Sequence, residues 1–217
     1  MNKILLIITG SIAASRCKEI ITLLNNKEVN ISCILTKEAK KYVKISDIKK
    51  LLKNRIFTDE DEKKNKMLHI NLSRDNDIIV VCPTTANSIA KFANGYGDNL
   101  ASNTLLASNK KILFVPAMNS FMWHNKINQK NVRLLKDSGH EFIGPKVGKL
   151  KCGEFGLGRI DNSKNIVNRI LNRLENVNLL KNKKCLVTAG PTIEMIDPVR
   201  FISVSYTHLT LPTSFLV

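Results

Sequence analysis

Residues 4–8 form an unbroken apolar run, Ile-Leu-Leu-Ile-Ile, and Thr9, Gly10 and Ser11 end it. A strand with one wet face alternates apolar and polar positions. A continuous run of this length suits a strand covered on both faces, as in the middle of a parallel sheet. Glycine permits a tight turn out of such a strand, and the helix that follows points free backbone N–H groups at whatever lies beyond the strand end. That turn alone is a weak ligand signal, because many α/β proteins carry one and the GxGxxG dinucleotide pattern is absent.

The rest of the chain repeats the theme. A helical pattern runs through Ile20, Ile21, Leu23 and Leu24, and residues 29–35 alternate as a second strand (Val29, Ile31, Cys33, Leu35). Residues 77–82 predict a third buried strand stopped by Pro83, and residues 112–115 a fourth stopped by Pro116. Residues 141–143 are a candidate fifth. Helical stretches are expected over 86–92 and 100–108, and an amphipathic helix over 162–177 with Ile166, Ile170, Leu171 and Leu174 on one side. Strands alternating with helices predict an α/β domain built on a parallel sheet, with its site at the carboxyl ends of the strands. The charge run at residues 59–66 is expected to be an exposed, mobile loop. Residues 181–184 read as a linker and 185–189 as the start of another strand. No internal repeat is visible.

Composition narrows the class. With 43% hydrophobic and 24% charged residues in 217, the chain reads as a soluble globular protein. No stretch approaches the roughly 20 apolar residues of a membrane span, and the first apolar run is too short for an export signal. The formal net charge is +16, but the cations are mostly lysines scattered beside Asn and Ile, without an arginine cluster. That is a biased surface rather than a nucleic-acid module, although an anionic substrate would gain from it. The five cysteines (Cys17, Cys33, Cys82, Cys152, Cys185) show no CxxC pair and no metal-ligand spacing. They read as reduced thiols of a cytoplasmic protein, with no metal site.

Four further segments carry chemistry. Residues 83–87 (Pro-Thr-Thr-Ala-Asn) place two hydroxyls and an amide where a helix begins. They fit a helix cap as well as donors for a phosphate or a ring edge. Residues 116–123 hold the only Trp and two of the five Met residues, which fits core packing. Asn119 sits oddly in that company, since a buried amide needs partners, and so points to a substrate contact. His69 lies in apolar surroundings, where a histidine is more often structural, yet it is the best general-base candidate of the four histidines. Residues 151–159 are Gly-rich around Cys152, Glu154 and Arg159 and are expected to form a mobile flap over a substrate. An exposed loop with an incidental thiol is the plainer reading.

In this order, residues 9–14 (Thr-Gly-Ser-Ile-Ala-Ala), the His69 segment, residues 83–87, residues 116–123 and residues 152–159 (Cys-Gly-Glu-Phe-Gly-Leu-Gly-Arg) resemble the homo-oligomeric flavin-containing cysteine decarboxylases. The likeness covers about residues 3–160. Thr-Thr in residues 83–87, where Ala-Thr is commoner in the family, is a mild departure. The resemblance implies a Rossmann-like flavoprotein. It implies FMN held by Gly10, Ser11, Ile12, Thr36, Thr84, Thr85, Asn87, Ser102 and Met118. It implies His69 as base, Asn119 on the substrate carboxylate and Cys152 as proton donor, with Met122 and Arg159 also at the substrate. The reaction implied is decarboxylation of 4′-phosphopantothenoylcysteine to 4′-phosphopantetheine in coenzyme A synthesis. The thiol is oxidised to a thioaldehyde, carbon dioxide leaves to give an enethiolate, and reduction follows. Trimers or dodecamers with flavin sites at subunit contacts are implied too. No nucleic acid and no membrane partner is expected.

Residues 184–203 resemble the opening of the ligase half fused to decarboxylases of this kind, whose Mg and CTP sites lie further on. Residues 204–217 do not resemble it. The expected division is therefore a decarboxylase domain over 1–180, a linker and truncated ligase start over 181–203, and a disordered tail over 204–217, without ligase activity. Within the same fold, a peptidyl-cysteine decarboxylase, a flavin prenyltransferase and a non-catalytic regulatory subunit are the alternatives.

Overall fold

The computed structural model describes residues 1–52, 56–151, 153–176 and 192–204. Residues 1–176 form one compact unit, and the residues beyond belong to a second. The first unit is built on a six-stranded sheet in the order β3-β2-β1-β4-β5-β6, every neighbouring pair parallel. Its strands are β1 (Asn2–Ile8), β2 (Val29–Leu35), β3 (Ile56–Phe57), β4 (Ile78–Thr84), β5 (Ile112–Pro116) and β6 (Glu141–Phe142). Five of these were legible in the sequence. The two-residue β3 was not, being too short for alternation to show.

The apolar runs behave as their composition requires. Ile4 through Ile8 are all fully buried, and β4 and β5 are buried along their whole length. Odd and even positions of β1 serve opposite sides. Ile4, Leu6 and Ile8 join a core with α1 (Cys17–Asn25), α2 (Ile45–Leu51) and α9 (Ser163–Asn176). Leu5 and Ile7 join a second core under α4 (Leu68–Asp75), α5 (Ala86–Ala93), α6 (Leu100–Leu106) and α8 (Lys126–Asp137). These are the two helical layers of a doubly covered sheet. Trp123, in α7 (Ser120–His124), belongs to the second core.

Two expectations change. The charge run is not a loop: α3 (Asp59–Lys64) starts from a capping box in which Asp61 accepts from the backbone N–H of Thr58 at 3.0 Å. Thr58 and Asp61 satisfy the spacing that marks such a box in sequence. The Gly-rich segment is not a free loop either. It forms an antiparallel hairpin from β7 (Lys146–Lys149) and β8 (Phe155–Arg159), and Cys152 near its tip lies outside the described residues. Pro83 and Pro116 close their strands from inside rather than beyond them.

In the second unit, β9 (Thr192–Met195) and β10 (Phe201–Val204) pair antiparallel, joined through Asp197, whose carboxylate accepts from the backbone N–H groups of Val199 and Arg200. The expected strand at 185–189 and the linker before it lie outside the described residues. Among the described residues no helix is long and apolar enough to cross a membrane.

Cys17, Cys33 and Cys82 are buried in the first core. The Cys17 thiol donates to the Cys82 carbonyl at 3.1 Å, and that bond and burial push its titration upward. Burial alone does the same to Cys33. These are packing thiols, not nucleophiles.

His140 packs against Phe92 and Phe114 and accepts the Ile112 backbone N–H on Nδ1 at 3.2 Å. Burial lowers its titration below the ordinary imidazole value. The unfolded chain therefore takes up this proton first as pH falls through about 6.5. Stability from this site is full above that pH and is lost below it, down to the folded-state value. The melting temperature should fall between pH 7.5 and 5.5 at constant ionic strength, and fall less in His140→Asn. Equal losses in both proteins would show that His140 does not carry the effect.

Candidate functional site

The loops leaving the carboxyl ends of β1, β2, β4 and β5 converge on a cleft of about 1180 Å³. Local bonds hold its rim. The Thr9 hydroxyl donates to the Pro83 carbonyl at 2.6 Å, joining the ends of β1 and β4. The Thr36 hydroxyl donates to the Ile8 carbonyl at 3.1 Å, joining β2 to β1. Gly10 passes so near the next loop that a Cβ there would lie 2.4 Å from the Glu38 Cβ. Only glycine lets these two loops close side by side.

Ten of the residues expected at the flavin or substrate face this cleft: Gly10, Ser11, Ile12, Thr36, Thr85, Asn87, Ser102, Met118, Met122 and Arg159. Asn119 faces it as well. Several also hold backbone. Ser11 caps the short 3-10 turn Ile12–Arg16, and Thr85 caps α5 by accepting from Ser88 N at 3.2 Å. Helix cap and cleft lining, alternatives in the sequence, coexist at Thr85. The Ser102 hydroxyl is engaged at the start of α6, accepting from the backbone N–H groups of Asp98 and Asn99 at 3.1 Å each. Thr84 departs from expectation. Its side chain is fully buried, donates to the Val81 carbonyl at 2.7 Å and accepts from Val115 N at 3.1 Å, so it fastens β4 to β5 rather than lining the cleft.

Asn119 has two bonded ends. Its side-chain oxygen accepts from Phe121 N at 2.7 Å and caps α7, while its amide nitrogen donates to the Glu154 carboxylate on the hairpin at 2.5 Å. The hairpin is fastened beside it by the Met118 N–H donating to the Gly158 carbonyl at 3.0 Å. At its root, burial acts to raise the Asp161 titration. Bonds from Lys146, the Asn162 backbone and Asn165 outweigh that and leave the carboxyl below its ordinary range. Lys151 and Gly153, the chain neighbours of Cys152, both line the cleft.

His69 does not line the cleft of its own chain. It sits on the first turn of α4, its side chain about one quarter exposed, with Nδ1 2.9 Å from Glu62 Oε1 on α3. The carboxylate stands within reach of the ring but off the N–H direction, so no well-aligned hydrogen bond forms.

Sequence reasoning passed over Lys91 and Asp98, which pair at the cleft, the lysine holding the Asp98 carboxyl below its usual range. It also passed over Arg16, Lys37 and Lys149 in the lining. Ordinary surface charges carry no local signal of where the chain brings them. The donor set suits a ligand with a broad apolar ring and an anionic end. Ile12, Met118, Ala101 and Leu105 supply apolar wall, hydroxyls and amides stand at strand ends, and cations line the cleft. FMN has that character.

The comparisons with known proteins agree with this geometry. The family model described as Flavoprotein matches residues 1–175. The chain belongs to that flavoprotein family. A second model, the DNA/pantothenate metabolism flavoprotein C-terminal domain, matches residues 180–207. The coenzyme A biosynthesis bifunctional protein CoaBC of Borreliella burgdorferi is 36% identical over 93% of this chain and 52% of its own length. That of Bacillus subtilis is 34% identical over 93% and 51%. The chain thus spans about half the length of the curated relatives it matches. Among solved structures, a cysteine-to-serine PPC decarboxylase variant complexed with pantothenoylaminoethenethiol superposes with a TM-score of 0.74 at 28% identity, covering 80% of this chain and 98% of that one. The peptidyl-cysteine decarboxylase EpiD gives 0.69 at 30%, covering 79% and 100%.

Gly158 tests the hairpin's seat. A Cβ there would stand 2.2 Å from the Met118 carbonyl oxygen, a backbone atom with little room to yield. Gly158→Ala should cost about 1–3 kcal/mol by overpacking, read as a lower urea midpoint. An unchanged midpoint would mean that β8 does not pack on this loop.

Proposed function

We propose that this chain is an FMN-dependent decarboxylase that converts 4′-phosphopantothenoylcysteine to 4′-phosphopantetheine in coenzyme A synthesis. The observation that carries the reading is Asn119, which lines the cleft of a flavoprotein and whose amide already donates to a carboxylate, that of Glu154. Family membership and the shared name of the CoaBC relatives support it. FMN would lie along Gly10, Ser11, Ile12, Thr36, Thr85, Asn87 and Met118, with Ser102 lining the same wall. When bound, it supplies the two-electron oxidation of the substrate thiol to a thioaldehyde and the later return of those electrons.

The chain's own residues would do the rest. Asn119 holds the substrate carboxylate until carbon dioxide leaves, with Met122 and Arg159 around the substrate. The bond electrons released then rest in an enethiolate. Cys152, between two residues that line the cleft, returns a proton to the reduced product. His69 takes the proton in the oxidative half. Because it stands outside its own chain's cleft, it would act in the cleft of a neighbouring copy in a trimer or a larger assembly of trimers. Met67 beside it, 56% exposed, is an apolar side chain that such a contact would cover. The cytoplasm is the expected compartment.

The test is to purify the protein with FMN, record the flavin spectrum, and follow carbon dioxide release from phosphopantothenoylcysteine against a peptide ending in cysteine. A colourless protein that takes up no FMN would refute the reading. Release from the peptide alone would make the chain a peptidyl-cysteine decarboxylase instead. Two variants then separate the roles. Cys152→Ser should still release carbon dioxide but accumulate the oxidised enethiol product, and normal yield of 4′-phosphopantetheine would remove Cys152 from the proton step. Asn119→Asp keeps the α7 cap but replaces a donor with a like charge. It should lower kcat/KM by roughly ten- to a hundred-fold, the weight of a hydrogen bond to a charged group. Unchanged kcat/KM would take Asn119 off the carboxylate.

A further inference from the structure

The four acids of α3 do not form a solvated face. Asp59 Oδ1 accepts the Leu100 backbone N–H at 3.0 Å, docking α3 on the start of α6. Glu60 pairs with Lys40, and Asp61 closes the capping box. Glu62 is drawn inward: its side chain is 18% exposed, against 66% for Glu60. Its Oε1 accepts from Asn103 Nδ2 at 3.2 Å and stands 2.9 Å from His69 Nδ1.

A surface helix gains little from burying a carboxylate, and desolvating that group has a cost unless it is bonded. Asn103 supplies one bond. The other near polar group is a buried imidazole nitrogen that, among the described residues, makes no well-directed hydrogen bond of its own. The imidazole χ2 torsion is broad, so a modest turn of the ring closes the contact.

We propose that Glu62 is a positioning residue for His69, accepting its Nδ1–H so that the lone pair is left on Nε2. The inference rests on the reading of His69 as the base. A carboxylate on Nδ1 fixes the tautomer and favours the imidazolium formed when Nε2 takes a proton. Asn103 keeps the carboxylate from turning away, and the Asp59 and Asp61 anchors keep α3 in place. The charge run thus orients a ring on another helix.

The test uses the FMN-loaded protein and three variants, Glu62→Gln, Glu62→Asp and His69→Asn. Long-range ¹H–¹⁵N spectra at pH 8, with the His69 signal assigned by its loss in His69→Asn, should show the Nδ1–H tautomer in the native protein. Glu62→Gln should lower kcat by roughly ten- to a hundred-fold, as partner loss does at oriented histidine ligands. KM and melting temperature should be kept, and Glu62→Asp should recover part of the rate. An Nε2–H tautomer in the native protein would overturn the inference. So would full kcat in Glu62→Gln alongside an inactive His69→Asn. If His69→Asn is itself fully active, the base assignment fails, and the tautomer alone decides what Glu62 does. If Glu62→Gln does not fold, the native tautomer again decides.

Discussion

Strands β1 and β4 pair in the middle of the sheet with nearly every side chain buried, and this double burial limits where chemistry can occur. Helices occupy both faces, so the loops at strand ends are left to carry the site. The Thr9–Pro83 and Thr36–Ile8 bonds join neighbouring strands just where they end. The rim of the cleft is therefore an extension of the core rather than a set of independent loops. A defect in β1 would be felt at the rim before it was felt at the surface.

The same economy appears in side chains that both hold backbone and face the cleft. Asn119 spends its oxygen on the α7 cap and keeps its amide for a carboxylate. One rigid cap thus sets the direction of the donor, which is how a short polar side chain can be aimed without a second layer of support. Thr85 is used similarly at α5. Thr84, one residue earlier, points the other way along the strand and is consumed between β4 and β5. Adjacent hydroxyls thus have opposite fates because Thr84 is the last residue of β4, whereas Thr85 lies beyond the strand and caps α5.

That distinction marks how far sequence alone could go. The long apolar runs of β1, β2, β4 and β5 and the stripe of α9 were legible, because burial on both faces or one leaves a period behind. The short β3 carries too few residues for a period. The charge run misled because composition reports solvent preference, whereas Thr58 and Asp61 encode a helix start, and Glu62 finds its partners only through folding. The hairpin was read as loose because its glycines suggest freedom. Gly158 and Gly156 instead allow close contact, a Cβ on Gly156 meeting Ser120 Oγ at 2.7 Å. Pro-x-Met-Asn-x-x-Met-Trp was legible as a unit, yet its parts divide, Trp123 into the core and Asn119 into the cleft.

The charge balance can be read the same way. A net charge of +16 spread over lysines favours no particular partner by itself. Within the cleft, however, Arg16, Lys37, Lys91, Lys149, Lys151 and Arg159 outnumber the acids Glu38, Asp59 and Asp98. Lys91 is already neutralised by Asp98. The remaining excess suits the phosphate of FMN, in a cleft where screening by salt is weaker than at the open surface. Six cations against three acids account for only a small part of the net charge of +16, so most of the basic character lies on the rest of the chain.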